Sequence, residues 1–114
     1  KKRHMGENLI INFKKYLFVF VLSIILFQNI KADEIYDEGK KIFLEKANCA
    51  VCHKLADAES QGDIGPNLND IKPDMMTVLN VVKQGIGVMP SFEGQLSDSE
   101  IKAVAKYVSE SASK

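Results

Sequence analysis

The chain has 114 residues, of which 15 are basic and 15 acidic, so its formal net charge is zero. That length allows one domain and excludes a second. The zero charge is an average over two unlike parts, because basic residues are concentrated at the N-terminus and acidic residues predominate later. The two parts therefore have to be considered separately.

The first part has the pattern of an export signal. Residues 1–15 carry five basic residues and one acidic residue, and residues 16–27, YLFVFVLSIILF, are apolar except for Ser23. Twelve helical residues rise about 18 Å, which is short of the roughly 30 Å hydrocarbon core of a membrane. The pattern predicts a secretory signal peptide rather than a transmembrane helix. A basic run beside an apolar block is also more typical of targeting than of a nucleic-acid-binding arm, so no nucleic-acid partner is expected.

We expect cleavage after Ala32, which gives a signal peptide over residues 1–32 and a mature domain over residues 33–114 in the periplasm. Without cleavage, the positive flank would hold the N-terminus in the cytoplasm and leave the domain membrane-anchored on the far side. With cleavage, no stable membrane insertion is expected. The mature domain then holds nine basic and fourteen acidic residues, a net charge of −5.

The mature domain is predicted to begin with an amphipathic helix. Its sequence, DEIYDEGKKIFLEKAN, places Ile35, Tyr36, Gly39, Ile42 and Phe43 at helical spacing, with acidic residues early and lysines late. This order of charges suits the helix dipole. A glycine in mid-helix costs about 1 kcal/mol relative to alanine, so we expect Gly39 to permit a close contact.

Two further helices are predicted after a loop. Residues 56–69, ADAESQGDIGPNLN, have the composition of a loop. Pro73 then opens a helical stretch, PDMMTVLNVVKQ, as its first residue, and Gly85 and Gly87 end it. The last helix is introduced by a capping box, SDSE, at residues 97–100.

These elements predict an all-α domain of three to four helices with long loops, since no segment after Ile30 alternates with period two. A loop of about fourteen residues is unusual in so small a domain unless it wraps something. A domain of about 82 residues is also only marginally stable on its core alone. A bound or covalent group is therefore expected to staple it.

The motif that carries chemistry is ANCAVCHKL, which contains Cys49, Cys52 and His53. Three chemistries use such residues. A dithiol redox motif needs a βαβ context, and no strand is predicted here. Structural zinc wants four protein ligands, whereas the motif supplies three and the other histidine, His4, lies in the signal region. Covalent haem attachment uses the whole motif: two thiols bond one edge of the macrocycle, and His53 faces iron from the proximal side.

A single histidine leaves the opposite axial position open. The candidate ligands in the mature domain are Met75, Met76 and Met89. Met75 and Met76 fall within a helical pattern, where methionine usually fills the core. Met89 lies in GIGVMPSF, whose glycines let backbone approach a flat ring and whose proline stiffens the chain after the sulfur. We predict Met89 as the sixth ligand; the alternative is a packing role for Met89 and an open or water-bound site.

With these motifs in place, the chain from about Ile35 to Ser109 resembles a class I (mitochondrial-type) monohaem cytochrome c. The resemblance implies one covalent haem c on Cys49 and Cys52, with His53 and Met89 as axial ligands. It further implies that GPNL, residues 65–68, supplies the Pro66 carbonyl that accepts the imidazole proton, together with Leu68 at the cofactor.

The resemblance also implies a small cytochrome c fold, with Gly39 and Phe43 of the first helix packed against Tyr107 of the last. The tryptophan that the family places near the haem propionates is absent, because the chain has no tryptophan. Two longer runs, HKLADAESQGDIGPNLNDIKPD and QGIGVMPSF, further resemble cytochrome subunits that accept electrons from sulfite dehydrogenases.

The resulting hypothesis is a soluble periplasmic electron carrier that is not an enzyme. It would pass electrons from a dehydrogenase, such as a sulfite dehydrogenase, to a terminal oxidase or another respiratory acceptor. The alternative is a haem enzyme or sensor with an open or labile distal site, of the peroxidase type. That alternative needs a distal acid or base, and the mature domain has no second histidine.

Overall fold

The structure, a computed structural model, describes the backbone of residues 2–114 and the side chains of residues 6–26, 32 and 34–114. It divides into two compact units, Lys1–Asp33 and Glu34–Lys114. The helices and strands, in chain order, are α1 (Lys2–Lys41), a π-helical turn (Ile42–Lys46), a 3₁₀ turn (Cys49–Val51), β1 (Lys54–Leu55), a 3₁₀ turn (Ala56–Ala58), β2 (Ser60–Gln61), α2 (Leu68–Ile71), α3 (Met75–Gln84) and α4 (Asp98–Ala112).

The N-terminal unit contains a helical stretch, Gly6–Leu26, that is long and apolar enough to cross a membrane and has none of its surface buried. It is longer than the apolar block of residues 16–27, because Leu9, Ile10, Ile11 and Phe13 extend it toward the N-terminus. A signal sequence near the N-terminus and a membrane anchor both have this length and composition, so length alone does not distinguish them here. The cleavage site predicted after Ala32 lies between Lys31 and Asp33, whose side chains fall outside those described.

Local hydrogen bonds fix where α3 and α4 begin. The side chain of Asp74 accepts a hydrogen bond from the Thr77 backbone N–H, so Asp74 is the N-cap of α3 and Pro73 precedes the helix. The prediction that Pro73 is the first helical residue was wrong, because an Asp at the N-cap satisfies a free N–H group of the first turn, which proline cannot do. At α4 the predicted capping box is confirmed: Ser97 and Glu100 exchange side-chain-to-backbone hydrogen bonds.

The all-α prediction is confirmed in substance, with one addition. Lys54–Leu55 pairs antiparallel with Ser60–Gln61 inside the segment predicted as loop. Strands of two residues cannot display a period-two pattern, so the sequence carries no signal for them. The buried Ser60 hydroxyl donates to the His53 carbonyl at 2.9 Å, which ties this small sheet to the CxxCH segment.

The first and last helices of the Glu34–Lys114 unit cross in close contact at Gly39, as predicted. A Cβ atom added at Gly39 would lie 2.7 Å from Tyr107 Cβ and 2.8 Å from the Ala103 carbonyl carbon, and closer still to the Ala103 oxygen. Tyr107 is fully buried and its ring meets the ring of Phe43 edge-on, with centroids 5.7 Å apart. The glycine thus allows the backbones of α1 and α4 to touch.

The remaining core places α3 against α4. Val78 and Val82 of α3 are buried with Ile101, Val104 and Val108 of α4. The three residues of α4 belong to its buried face. Loops between these helices carry the CxxCH, GPNL and GVMPSF segments, and the core holds all three around one cleft.

Candidate haem site

The CxxCH segment forms a single tight turn. Asn48 adopts a left-handed conformation, with φ of 51°, and Cys49–Val51 then forms a 3₁₀ turn. The backbone N–H groups of Cys52 and His53 both donate to the Cys49 carbonyl, at 3.1 and 2.9 Å. Because the turn closes on itself in this way, the two cysteines and the histidine are presented by one rigid piece of backbone.

The orientation of His53 is set by a hydrogen bond to the GPNL segment. Nδ1 of His53 lies 2.9 Å from the Pro66 carbonyl oxygen. A carbonyl can only accept, so Nδ1 carries the proton and Nε2 keeps its lone pair for a ligand. Such a bond from the outer nitrogen is how proteins commonly fix a metal-binding imidazole.

Two glycines, Gly62 and Gly65, let the segment that leads into GPNL lie against the CxxCH turn. A Cβ added at Gly65 would lie 2.5 Å from His53 Cε1 and 2.8 Å from Nδ1, and a Cβ at Gly62 would lie 2.6 Å from the His53 backbone nitrogen. The Gly65 N–H also donates to the Cys52 carbonyl at 2.8 Å. Any side chain at position 65 would displace the imidazole. Gly62 was not identified from the sequence, where it looked like one of several loop residues.

Met89 is presented by a tight hairpin. Ile86 and Met89 exchange backbone hydrogen bonds of 3.1 and 2.9 Å, with Gly87 and Val88 at the tip. Gly85, which ends α3, has φ of 73°, a left-handed value that residues with side chains rarely adopt. The GVMPSF segment therefore leaves the helix by a turn that requires glycine.

These segments border two adjoining cavities, of about 140 and 440 Å³. Cys49, His53, Pro66 and Met89 line both of them. The other residues that line the smaller cavity are apolar, except Thr77. The apolar ones are Phe43, Leu68, Ile71, Pro73, Val78, Val81, Val82, Ile86, Val104 and Val108. A flat apolar ring that carries a central metal fits this arrangement, because apolar walls enclose one imidazole and one thioether.

The structure brings the predicted site residues together and separates the other methionines from them. Cys52 lines the larger cavity and Leu68 the smaller one. Met75 is half-buried against the core and Met76 is 62% exposed, and neither borders a cavity that holds His53. Sequence reasoning missed Ile64, Ile86 and Phe92, which also line the site and gave no signal beyond their apolar character.

The Cys49 thiol does not have the character of a redox-active cysteine. Burial raises the pKa of the Cys49 thiol to about 11, whereas a redox-active cysteine has its pKa lowered. The two cysteines do not form a disulfide with each other. Among the residues that the structure describes, no three or more His, Cys, Asp and Glu side chains form a cluster of the kind that holds a metal ion.

Comparison with known proteins agrees with this geometry. Residues 34–108 match the family model described as Cytochrome C oxidase, cbb3-type, subunit III. The Cbb3-type cytochrome c oxidase subunit FixP of Bradyrhizobium diazoefficiens is 41% identical over 76 residues, which make up 62% of this chain and 26% of FixP. Cytochrome c6 of Leptolyngbya boryana is 36% identical over 80 residues, which make up 67% of this chain and 92% of that protein.

A solved structure is similar as well. The crystal structure of the c-type cytochrome SorU from Sinorhizobium meliloti superimposes with a TM-score of 0.68 at 50% identity, covering 72% of this chain and 95% of SorU. The fold and the site define a small cytochrome c domain. The chain belongs to the cytochrome c family that the matching model represents, and it is a class I monohaem cytochrome c.

Family membership sets the broad function. Proteins of this family bind haem c covalently, and the chain is accordingly a haem protein of the electron-carrying kind. The chain spans about a quarter of the length of FixP, so the activity of FixP as a whole is not transferred to it.

Proposed function

We propose that this chain is an exported one-electron carrier whose haem c is bound by thioethers to Cys49 and Cys52 and ligated on its iron by His53 and Met89. One observation carries the proposal: His53, oriented by Pro66, and Met89 border the same apolar cavities. The bound haem supplies a one-electron cycle between ferric and ferrous iron. If His53 and Met89 both hold the iron, no coordination position is left for a substrate, and the chain would act as a carrier and not as an enzyme.

The contacts around the site support a distinct role for each segment. The Pro66 carbonyl holds the His53 tautomer and makes Nε2 a stronger donor to a metal. Leu68, buried at 7% exposure, and the valines of α3 and α4 exclude water from the cofactor. Histidine together with methionine favours a relatively high reduction potential, which suits a carrier that delivers electrons to a respiratory oxidase.

A partner surface is proposed at the mouth of the larger cavity. Ile64, Ile86 and Val88 line that cavity and are 65%, 66% and 88% exposed, and Val51, between the two cysteines, is 65% exposed. Among the described residues, no Asp, Glu, Lys or Arg side chain lines this cavity. We therefore propose a mainly apolar docking surface, formed by these four residues, for a donor dehydrogenase and an acceptor. A sulfite dehydrogenase is the first donor to test, because of the sequence resemblance.

The net charge of −5 favours a basic partner only through acidic side chains that remain unpaired near the site. Asp57 is not one of them. In the structure it accepts hydrogen bonds from Lys40 at 3.0 Å and from Tyr107 at 2.9 Å, and Lys114 lies 3.8 Å away. Asp57 is therefore engaged in holding helices together, which weakens the case for an acidic docking rim.

Export is proposed from the N-terminal unit. Its basic residues and its exposed apolar helix are the features of a signal sequence, and haem attachment through thioethers takes place outside the cytoplasm. The exported protein should be examined by intact mass and by membrane fractionation: a mass that starts at Asp33 in the soluble fraction supports cleavage after Ala32. Recovery of the full chain in the membrane fraction would make the N-terminal helix an anchor instead.

Denaturation and a redox titration test the central proposal. Unfolding the exported protein in acid and organic solvent should leave haem on the polypeptide, and a Cys49→Ala, Cys52→Ala variant should lose it. The parent should titrate as a single one-electron couple and resist added cyanide and carbon monoxide. Ready binding of these ligands by the parent would favour the alternative, a haem enzyme or sensor with an open distal site.

A further inference from the structure

The loop that presents Met89 is fastened to the end of α3 at more than one point. The Gly85 N–H donates to the Val81 carbonyl at 2.7 Å, and the Phe92 N–H donates to the Val82 carbonyl at 3.0 Å. The Gly85 bond is the last i→i−4 bond of the helix, formed by its C-cap residue. The Val82 carbonyl also lies in the last turn, where no intrahelical donor is available. The chain thus leaves α3 at Gly85, carries Met89 around the hairpin, and returns to the same turn.

Ser91 makes the third of these attachments and makes it through its side chain. Its hydroxyl donates to the Lys83 carbonyl at 2.6 Å and accepts from the Glu93 N–H at 3.2 Å. Its own carbonyl accepts from the Gln95 side-chain amide at 2.8 Å. Ser91 therefore joins the end of α3 to Glu93 and Gln95 of the loop that follows.

We propose that Ser91 is a positioning residue for Met89: its hydroxyl latches the GVMPSF loop to the end of α3 and so limits how often the Met89 thioether leaves the iron. Met89 can move away from the cavity only if the chain between Gly85 and Phe92 opens. The hydrogen bonds of Gly85 and Phe92 use backbone N–H groups, which most substitutions keep. Lys83 also pairs with the exposed Glu93 at 3.7 Å, and an exposed ion pair of this kind contributes little. The hydroxyl of Ser91 is an attachment that one substitution can remove.

The positions of Gly85 and Ser91 explain why the Ser91 hydroxyl can restrain the whole loop. A Cβ added at Gly85 would lie 2.7 Å from the Ser91 nitrogen and 2.8 Å from the Met89 oxygen, so the two ends of the loop already touch. A hydrogen bond at the point where the two ends of the loop meet restrains every residue of the hairpin between them. Ser91 itself is exposed, so its loss removes little packing from the core.

The inference rests on the proposed ligation by Met89, and the experiment distinguishes a failure of the latch from a failure of the ligation. The ferric holoprotein is titrated with free imidazole, which competes with Met89 for iron, and the parent, Ser91→Ala and Ser91→Thr are compared. One intramolecular hydrogen bond should change the opening equilibrium by about two- to tenfold. Ser91→Ala should bind imidazole more tightly by that factor, whereas Ser91→Thr, which keeps a hydroxyl, should behave as the parent does.

A matched control lies in α4. The Ser109 hydroxyl donates to the Lys106 carbonyl at 3.1 Å, a similar bond with no link to the loop, so Ser109→Ala should leave imidazole affinity unchanged. A second readout does not depend on iron: hydrogen exchange at the Met89 and Phe92 amides should be faster in Ser91→Ala, by the same factor, at unchanged global stability.

The outcomes are distinct. If the parent lacks the spectral signature of methionine-bound ferric haem, the ligation proposal fails, and amide exchange alone still tests the latch. If the parent has that signature and Ser91→Ala matches it in both imidazole affinity and amide exchange, the latch is refuted while the ligation stands. If Ser109→Ala changed imidazole affinity and amide exchange as much as Ser91→Ala does, both effects would come from a general loss of stability. That result would also refute the latch.

Discussion

Because α1 and α4 cross at Gly39, Gly39→Ala should destabilise the protein, which is the opposite of the usual effect of Gly→Ala in a helix. In an exposed mid-helix site, Gly→Ala stabilises by about 1 kcal/mol, because alanine has the higher helix propensity. At Gly39 the new methyl would lie 2.7 Å from Tyr107 Cβ and 2.8 Å from the Ala103 carbonyl carbon. Both atoms are fixed to the backbone of α4, so relief requires the helices to separate.

The expected magnitude follows from these two effects. Overpacking in a well-packed core costs about 1–3 kcal/mol, and contacts with backbone atoms place this site at the upper end. After the gain in propensity is subtracted, Gly39→Ala should lower the free energy of unfolding by about 2 kcal/mol. Guanidinium unfolding of the exported holoprotein, followed by far-ultraviolet circular dichroism, measures this difference.

The control for this experiment is Glu38→Ala, because Glu38 is an exposed neighbour on the same helix. It should change the free energy of unfolding by less than about 0.5 kcal/mol. A Gly39→Ala protein as stable as the parent, or more stable, would show that the helices do not meet closely at this position and would refute the steric reasoning.

Three further outcomes are expected. Met89→Ala should abolish the methionine-to-iron absorption of the ferric protein and raise peroxidase activity, whereas Met76→Ala should leave both as in the parent; a parent-like Met89→Ala spectrum would contradict the ligation. Burial acts to raise the pKa of Asp57, but hydrogen bonds from Lys40 and Tyr107 hold it below its usual value. The ionised Asp57 therefore stabilises the folded protein above the unfolded pKa of about 3.9. This stabilisation is lost as the pH falls through the lower folded pKa. Asp57→Asn should therefore flatten the fall of the unfolding midpoint below about pH 4, and an unchanged profile would remove Asp57 as a cause. The rate of reduction by a donor dehydrogenase should vary little from 0.1 to 1 M salt, where the Debye length shrinks from about 10 to 3 Å, and Val88→Asp should slow it; a steep fall with salt in the parent would restore electrostatic steering.

The parts of the site that could be predicted from sequence are those whose chemistry is local. The CxxCH turn is closed by hydrogen bonds within five residues, from Cys49 to His53, so its residue types carry the signal by themselves. The capping box at Ser97 and Glu100 is local in the same sense. Gly39 was identifiable because a glycine in mid-helix needs a compensating reason, and the close contact with α4 supplies it.

The parts that could not be predicted depend on contacts between distant segments. Gly62 matters because it lies against the backbone of Cys52 and His53, and nothing in its own neighbourhood in the sequence indicates that. The strands at Lys54–Leu55 and Ser60–Gln61 are too short to show a period. At α3 the helix begins after Asp74 and not at Pro73, because the Asp74 side chain satisfies a backbone donor of the first turn.

Asp57 illustrates how pairing in the fold changes what a charge can do. On sequence alone it is one of the fourteen acidic residues of a domain at −5, available to steer a basic partner. In the fold its carboxylate accepts from Lys40 near the end of α1 and from Tyr107 of α4, the helix that also packs against Gly39. Its negative charge is then balanced locally by Lys40, so Asp57 contributes little to the field at the cavity mouth. The net charge of −5 already counts both residues and is unchanged by their pairing, so steering depends on where the other acidic residues lie. The exposed apolar side chains at the cavity mouth are then the better guide to how a redox partner is recognised.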